Sequence, residues 1–197
     1  MKLFRLDKYK NEDKLIEDCI AAIPQAQKYL FDKYAGIFLA VCLRYISDYQ
    51  IAEDVLMESF MKIYSNLNKF NNKGSFEGWM RRIIVNESIS YLRKNKSIHL
   101  STDNIQLMDD ETEIGESSEN ISADKLMNLI NKLPDGYRTI FNLYAIEEYK
   151  HSEIAEMLNI TESTSKSQLF KARSILKKEV KKLESVSDES VIVSISI

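Results

Sequence analysis

A stripe of polar side chains runs along one of the most apolar helices that this sequence predicts, over residues 76–96. Arg82, Asn86, Ser90 and Arg93 are spaced by four, four and three residues, so they share one helical face. Arginine binds phosphate and asparagine pairs with base edges, which suits single-stranded or melted nucleic acid. The alternative is a solvated stripe beside a tryptophan, Trp79, that belongs to the core.

The segment before this helix adds aromatic and basic side chains. Residues 68–75 combine Asn, Gly and Ser with Phe70 and Lys73, which is typical of a loop. Ser75 is the predicted N-cap of the helix, because its hydroxyl can accept a hydrogen bond from a backbone N–H of the first turn. Together with Trp79, the loop supplies rings of the kind that stack on unpaired bases.

A second candidate surface lies on a predicted helix over residues 50–67. One face is apolar and predicts a core stripe of Ala52, Val55, Leu56, Phe60, Ile63 and Leu67. The other face shows Asp54, Met57, Glu58 and Met61 together. Two methionines beside the acids indicate a docking surface, since methionine is apolar and adaptable. The alternative is that both methionines pack on a neighbouring helix.

The second half of the chain contains a helix-turn-helix pattern. A short helix starting at Ser152 is followed by a turn at 159–161, and a long helix begins at Thr161 or Glu162. The core side of the long helix carries Leu169, Ala172, Leu176, Val180 and Leu183. The opposite side carries hydroxyls, lysines and one aromatic ring, which suit a major groove. A protein-binding helical hairpin is the alternative.

Composition excludes several classes of protein. The 197 residues include 5 Gly and 2 Pro, which argues against hairpin-rich β folds and Gly-rich phosphate loops. No nucleophile–base set or metal-ligand cluster is evident, so we expect no enzyme, no cofactor and no metal site. Cys19 and Cys42 lie in apolar helical patterns and are expected to be reduced thiols of the core.

The charge pattern divides the chain into four parts. The formal net charge of −3 is the sum of +4 over 1–97, −8 over 98–124, +4 over 125–183 and −3 over 184–197. We therefore predict an all-α protein with two helical domains, 1–97 and 123–183, joined by an acidic flexible linker over 98–122 and followed by a tail over 184–197.

Two further expectations concern the ends of the chain. The final VIVSISI alternates like a β-strand, and the sequence leaves open whether it is disordered or pairs with another chain. The N-terminus shows no secretion signal, and no apolar run approaches the ~20 residues that cross a bilayer. A cytoplasmic protein without membrane insertion is expected.

Taken in order, these segments resemble an extracytoplasmic-function (ECF) sigma factor of bacterial RNA polymerase. The resemblance covers roughly residues 11–183. It rests on four strings: AEDVLMESFMKIY (52–64), FEGWMRRIIVNESISYLRK (76–94), LPDGYRTIFNLYAIEEYKHSEIAEMLNI (133–160) and TESTSKSQLFKAR (161–173). In this family the first domain is sigma region two and the second is region four.

The resemblance implies three interfaces. The first binds the β′ clamp helices of core polymerase and comprises Asp54, Met57, Glu58 and Met61. The second captures the melted minus-ten element and comprises Phe70, Asn71, Lys73, Ser75, Phe76, Trp79, Arg82, Asn86, Ser90 and Arg93. The third reads the minus-thirty-five element in the major groove and comprises Ser163, Thr164, Lys166, Ser167, Phe170, Lys171 and Ser174.

The implied partners are core RNA polymerase, including its β flap, promoter DNA and an anti-sigma factor. The chain departs from the family pattern at Met57, where Gln is usual, and at Ser163, Ser165 and Gln168, where Gly, a β-branched residue and Arg are frequent. Ser165 predicts a small packing loss, and Gln168 predicts an altered promoter preference. The alternative function is a helix-turn-helix regulator that binds duplex DNA without polymerase.

Overall fold

The structure, a computed structural model, describes residues 9, 11–71, 73–95 and 122–193, and every regular element among them is helical. These residues form two compact units, and the first unit ends at Lys94. The predicted all-α fold with two helical domains is confirmed. The predicted acidic linker lies almost wholly outside the described residues.

The first unit is a bundle in which three long helices pack on one another. Its elements are α1 (Glu12–Ile20), α2 (Pro24–Tyr45), α3 (Tyr49–Asn66), a 3₁₀ turn (Leu67–Lys69) and α4 (Phe76–Lys94). Helices α2, α3 and α4 each contact the other two, and α1 packs on α2. The exposed faces of α3 and α4 are therefore held on one packed scaffold.

Local sequence accounts for where these helices begin. The Asp48 carboxylate accepts a hydrogen bond from the backbone N–H of Ile51 at 3.1 Å, which caps α3. Pro24 occupies the first turn of α2, where no backbone donor is needed. The Ser75 hydroxyl accepts from the N–H of Gly78 at 3.0 Å, so the predicted cap of α4 is confirmed.

The core of this unit follows the predicted stripes. Every residue of the core stripe predicted for 50–67 is buried, including Leu67 in the 3₁₀ turn after α3, and α4 buries Met80, Ile84, Val85, Ile89 and Leu92. Both cysteines are buried free thiols, and burial raises the pKa of each to about 11. Their placement in the core is thus confirmed.

The second unit packs three short helices and a π-helical segment against one long helix. Its elements are α5 (Ala123–Asn131), α6 (Asp135–Phe141), a π segment (Asn142–Ile146), α7 (His151–Leu158) and α8 (Glu162–Val193). Leu129, Ile130 and Leu133 meet Ala172 and Leu176 of α8 in one hydrophobic cluster. The long helix is therefore the element on which the rest of the unit is assembled.

Three sequence predictions for this unit need correction. The helix expected from Tyr137 to Glu147 ends at Phe141 and widens into the π segment, where the N–H of Glu147 bonds to the carbonyl of Asn142 at 2.9 Å. Leu183, expected in the core, is exposed. Residues 191–193 of the strand-like tail continue α8, because helix propagation needs only local backbone bonds, and 194–197 lie outside the described residues.

Candidate functional site

The acid–methionine face of α3 is a surface in the folded unit. Met57 is 53% exposed and Met61 is 67% exposed, and Asp54 and Glu58 are exposed beside them. The packing alternative for the methionines is therefore wrong, since more than half of each side chain is exposed. Two large apolar side chains are exposed to water here beside two carboxylates. Burial of such a surface by a partner protein is favourable, because it removes apolar area from water.

The polar stripe of α4 also faces outward. Arg82, Asn86 and Arg93 are exposed and Ser90 is half-buried, whereas the opposite side of the helix forms the core. Glu87, next to Asn86, forms an ion pair with Lys62 of α3, which ties the two helices together near this stripe. The stripe thus presents two cationic groups and one amide at the surface, on a helix whose opposite side is packed in the core.

The aromatic residues around the start of α4 pack on one another. The ring centroids of Phe70 and Phe76 are 5.1 Å apart, those of Phe70 and Trp79 are 5.6 Å apart, and those of Phe76 and Trp79 are 5.9 Å apart. Phe76 is 1% exposed, while Phe70 and Trp79 are half-buried. Phe76 therefore has no surface to offer DNA in this structure, whereas Phe70 and Trp79 remain partly exposed.

The loop before α4 has a defined shape. The side-chain oxygen of Asn71 accepts a hydrogen bond from the N–H of Lys73 at 3.2 Å, as in an Asx turn. Gly74 follows with φ of +93°, a conformation that favours glycine. Asn71, Lys73 and Ser75 are exposed, so the loop keeps three of the predicted DNA-contacting residues at the surface.

The helix-turn-helix prediction is borne out by the geometry of α7 and α8. Asn159 ends α7 in the left-handed conformation, with φ of +54°, which reverses the chain. The Thr161 hydroxyl then accepts from the N–H of Thr164 at 3.1 Å and caps α8. Ala155, which is almost fully buried, belongs to α7, which packs on α8.

Each residue predicted for the outward face of α8 is at least partly exposed. Ser163, Lys166 and Ser174 are exposed, Phe170 is 43% exposed, and Thr164, Ser167 and Lys171 are half-buried. The hydroxyls of the first turn are tied together, because the Thr161 Oγ1 atom lies 2.8 Å from the hydroxyl oxygens of both Ser163 and Thr164. The face therefore combines an ordered hydroxyl cluster with cations and one exposed ring.

Two of the departures from the family pattern lie inside the unit. Ser165 and Gln168 are 0% and 2% exposed, so neither belongs to the outward face of α8. The buried Gln168 side chain therefore cannot contact the promoter directly. The altered promoter preference predicted from Gln in place of Arg does not come from such a contact. Ser165 does not leave a simple packing loss, because its hydroxyl oxygen lies 2.8 Å from Nδ1 of His151.

Sequence reasoning overlooked the surroundings of this bond. The His151 ring stacks on Tyr144 of the π segment, with centroids 4.5 Å apart and an interplanar angle of 22°. Burial and the nearby cations Lys166 and Arg173 lower the pKa of His151 below its ordinary value, while Glu162 acts in the opposite direction. The signal in the sequence was a serine at a core-leaning position of a helix-turn-helix that also contains a histidine.

Within the described part of the chain, no helix is long and apolar enough to cross a membrane. The same residues contain no group of three or more His, Cys, Asp or Glu side chains that could hold a metal ion. The surfaces above are therefore the features of the described structure that point to function.

Comparison with known proteins identifies the two units. Residues 30–98 match the model of Sigma-70 region 2, and residues 123–176 match that of Sigma-70, region 4. The ECF RNA polymerase sigma factor SigW of Bacillus subtilis (strain 168) is 30% identical over 165 residues, which cover 78% of this chain and 88% of that protein. SigM of the same organism, also named an ECF RNA polymerase sigma factor, is 31% identical over 152 residues, covering 77% and 90%.

Among solved structures, the sigma factor RpoE in complex with the anti-sigma factor NepR, from Bartonella quintana, matches with 20% identity and a TM-score of 0.47. That match covers 79% of this chain and 96% of that chain. With region 2 in its first unit, region 4 in its second, and two ECF factors related over most of their lengths, this chain belongs to the ECF sigma factors of the sigma-70 family, which direct bacterial RNA polymerase to promoters.

Proposed function

We propose that this sigma factor works through three faces: Asp54, Met57, Glu58 and Met61 bind core polymerase, the α4 stripe with its loop captures the melted minus-ten element, and the outward face of α8 reads the minus-thirty-five element. The observation that carries the proposal is that α3 and α4 pack on each other and both expose the predicted faces. Polymerase bound to α3 then holds α4 at the DNA.

The α4 stripe suits unpaired DNA better than duplex DNA. Asn86 can bond to the edge of an exposed base, and Arg82 and Arg93 on the same face can bind the phosphates on either side. Phe70 and Trp79 offer ring faces for stacking, which is sequence-tolerant. Unstacking costs a few kcal/mol per base step, which these contacts and the attachment to polymerase offset.

The face of α8 suits a duplex major groove. Lys166 and Lys171 neutralise phosphates, the hydroxyls of the first turn bond to phosphate or base edges, and the Phe170 ring can contact a thymine methyl group. A net charge of −3 gives the free chain little general attraction to DNA. We propose that residues 98–122 are an acidic linker and that polymerase supplies the shared scaffold on which two weak DNA contacts act together.

We further propose, from the resemblance to the ECF family, that an anti-sigma factor holds the chain inactive and that the chain works in the cytoplasm, where polymerase and promoters are. The sigma factor contributes binding and positioning, so we propose that this chain has no catalytic activity of its own. Run-off transcription with purified core polymerase on genomic fragments tests the function directly. Discrete promoter-dependent transcripts support it, and transcription no different from core polymerase alone contradicts it.

Truncating one exposed methionine tests the polymerase face. We expect Met57→Ala to weaken core-polymerase binding by about 1–2 kcal/mol, or roughly 5- to 30-fold, because a side chain that the partner covers is lost. The measurement is a binding titration with purified core polymerase. Ile37→Ala is the matched control, since Ile37 is an exposed apolar residue of α2, at 46%. Equal losses in both variants would contradict the assignment.

Removing one lysine tests the face of α8. We expect Lys171→Ala to weaken upstream promoter recognition by about 1 kcal/mol or more and to reduce the salt dependence of promoter binding by about one phosphate contact. The measurement is holoenzyme binding to a promoter fragment at several salt concentrations. Lys125→Ala, on the exposed surface of α5, is the control for a general loss of positive charge. An unchanged salt dependence of promoter binding for Lys171→Ala would show that Lys171 does not contact a phosphate.

A further inference from the structure

A small cluster joins three elements of the second unit behind the face of α8. His151, the first residue of α7, lies with Nδ1 2.8 Å from the hydroxyl oxygen of Ser165, and Ser165 is completely buried in α8. The other partner of the imidazole is the ring of Tyr144, on which it stacks. Tyr144 belongs to the π segment, so one histidine contacts both neighbours of its own helix.

The same tyrosine reaches α8 at a second point. The guanidinium carbon of Arg173 lies over the Tyr144 ring, 5.6 Å from its centroid, in a cation–π contact. Ser165 and Arg173 are eight residues apart, or about 12 Å along the helix axis. His151 therefore contacts α8 directly at Ser165, and Tyr144, on which it stacks, contacts α8 again at Arg173.

We propose that His151 is a positioning residue for promoter recognition: its contacts with Ser165 and Tyr144 set the rotation and depth at which α8 presents its outward face to DNA. This inference rests on the proposed function of that face. Ser165 is flanked by Thr164 and Lys166, which are both assigned to the DNA contact. A small rotation of α8 at Ser165 therefore shifts both neighbours, and recognition geometry tolerates only about 0.5 Å of displacement.

The electrostatic surroundings favour the neutral imidazole. The charged groups that act on the ring are Glu162, Lys166 and Arg173 from α8, and Tyr144 of the π segment stacks on it. Lys150 and Glu153 are its charged neighbours at the start of α7. Burial of the ring disfavours the imidazolium most, and the nearby cations Lys166 and Arg173 act in the same direction. The lowered pKa of His151 means that the contacts lose stability as the pH falls below about 6.5, when the unfolded chain takes up the proton first.

Three variants separate positioning from bulk packing. His151→Leu removes the hydrogen bond and leaves the Ser165 hydroxyl buried beside an apolar group. His151→Asn places an amide near the position of Nδ1 and cannot gain a proton. His151→Leu combined with Ser165→Ala removes both polar partners at once, so that no hydroxyl is left buried without its histidine.

The experiment uses the full chain with core polymerase, a promoter fragment selected by genomic run-off, and the same fragment with its upstream element scrambled. The readout is the ratio of transcription from the two fragments, taken at equal amounts of folded sigma factor by circular dichroism. We expect His151→Leu and the double variant each to lower this ratio about fivefold or more, because both lose the contacts that position α8, and His151→Asn to stay within about twofold of the parent chain.

The outcomes are distinguishable. If the parent chain transcribes the intact and the scrambled fragment equally, the proposed function of α8 itself is wrong. A discriminating parent with an unchanged His151→Leu, with a double variant that recovers the parent ratio, or with an equal loss in His151→Asn, overturns the positioning role. If His151→Leu does not fold, the pH arm decides: as the pH falls below about 6.5, the parent ratio falls and the His151→Asn ratio does not. Parallel pH profiles of these two chains overturn the proposal.

Discussion

Reversing two charges on α3, by Asp54→Lys combined with Glu58→Lys, is expected to abolish capture of core polymerase. Both carboxylates are exposed on either side of Met57, so the variant replaces two anions with two cations without touching the core. Like charges brought together at an interface cost several kcal/mol, which corresponds to about 100-fold weaker binding or more. Co-elution of the variant with purified core polymerase measures the loss.

The control for this variant changes the total charge equally. Glu17→Lys combined with Asp32→Lys reverses two exposed acids on α1 and α2, whose ion pairs with Lys14 and Lys28 lie on the surface. Surface pairs of this kind contribute about 0–1 kcal/mol, so the control chain stays folded. If the control loses polymerase as completely as the α3 variant, general charge rather than the α3 face governs capture.

Replacing one amide on α4, by Asn86→Ala, is expected to impair promoter opening while polymerase binding remains intact. Asn86 is exposed in the middle of the polar stripe, and a good contact to a base edge contributes about 1–3 kcal/mol, or roughly 5- to 150-fold in opening. Alanine is a better helix former than asparagine, so the substitution does not weaken α4 itself. Permanganate reactivity of unpaired thymines in the holoenzyme–promoter complex reports the extent of opening.

Asn128→Ala provides the matched control for this second substitution. Asn128 is an exposed asparagine within α5 of the other unit, so its replacement makes the same chemical change outside the proposed DNA face. A premelted template, in which the minus-ten bases are already unpaired, separates binding of unpaired bases by Asn86 from a role in opening the duplex. If Asn86→Ala opens the duplex as well as the parent chain does, the side chain faces solvent and the stripe needs another explanation.

Local features of the sequence predicted much of the fold. The cap at Ser75 and the turn at 159–161 are short-range events, because a cap or a turn depends on residues within one or two helical turns. Helical periodicity likewise placed Arg82, Asn86 and Arg93 on one face, since side chains three and four residues apart must be neighbours.

Periodicity predicts which residues share a face and leaves open whether another element covers that face. Met57 and Met61 could have packed on a neighbouring helix, and only the arrangement of α2, α3 and α4 leaves them exposed. Phe76 shows the opposite outcome, because it closes over the core with Phe70 and Trp79 although its neighbours in sequence are polar. Burial depends on residues that are distant in the chain, which a single pattern does not reveal.

The amino-acid sequence by itself predicted most of the helices, the cap of α4, the charge pattern and the resemblance to the family, because each of these is encoded in short strings and local spacing. Tertiary structure alone decided the placement of Ser165 and Gln168, which lie inside the second unit and not on its proposed DNA face. It also brought His151 to Ser165 across fourteen residues of chain, through the turn at Asn159. Such a contact depends on how two helices cross, which is set by packing across the whole unit.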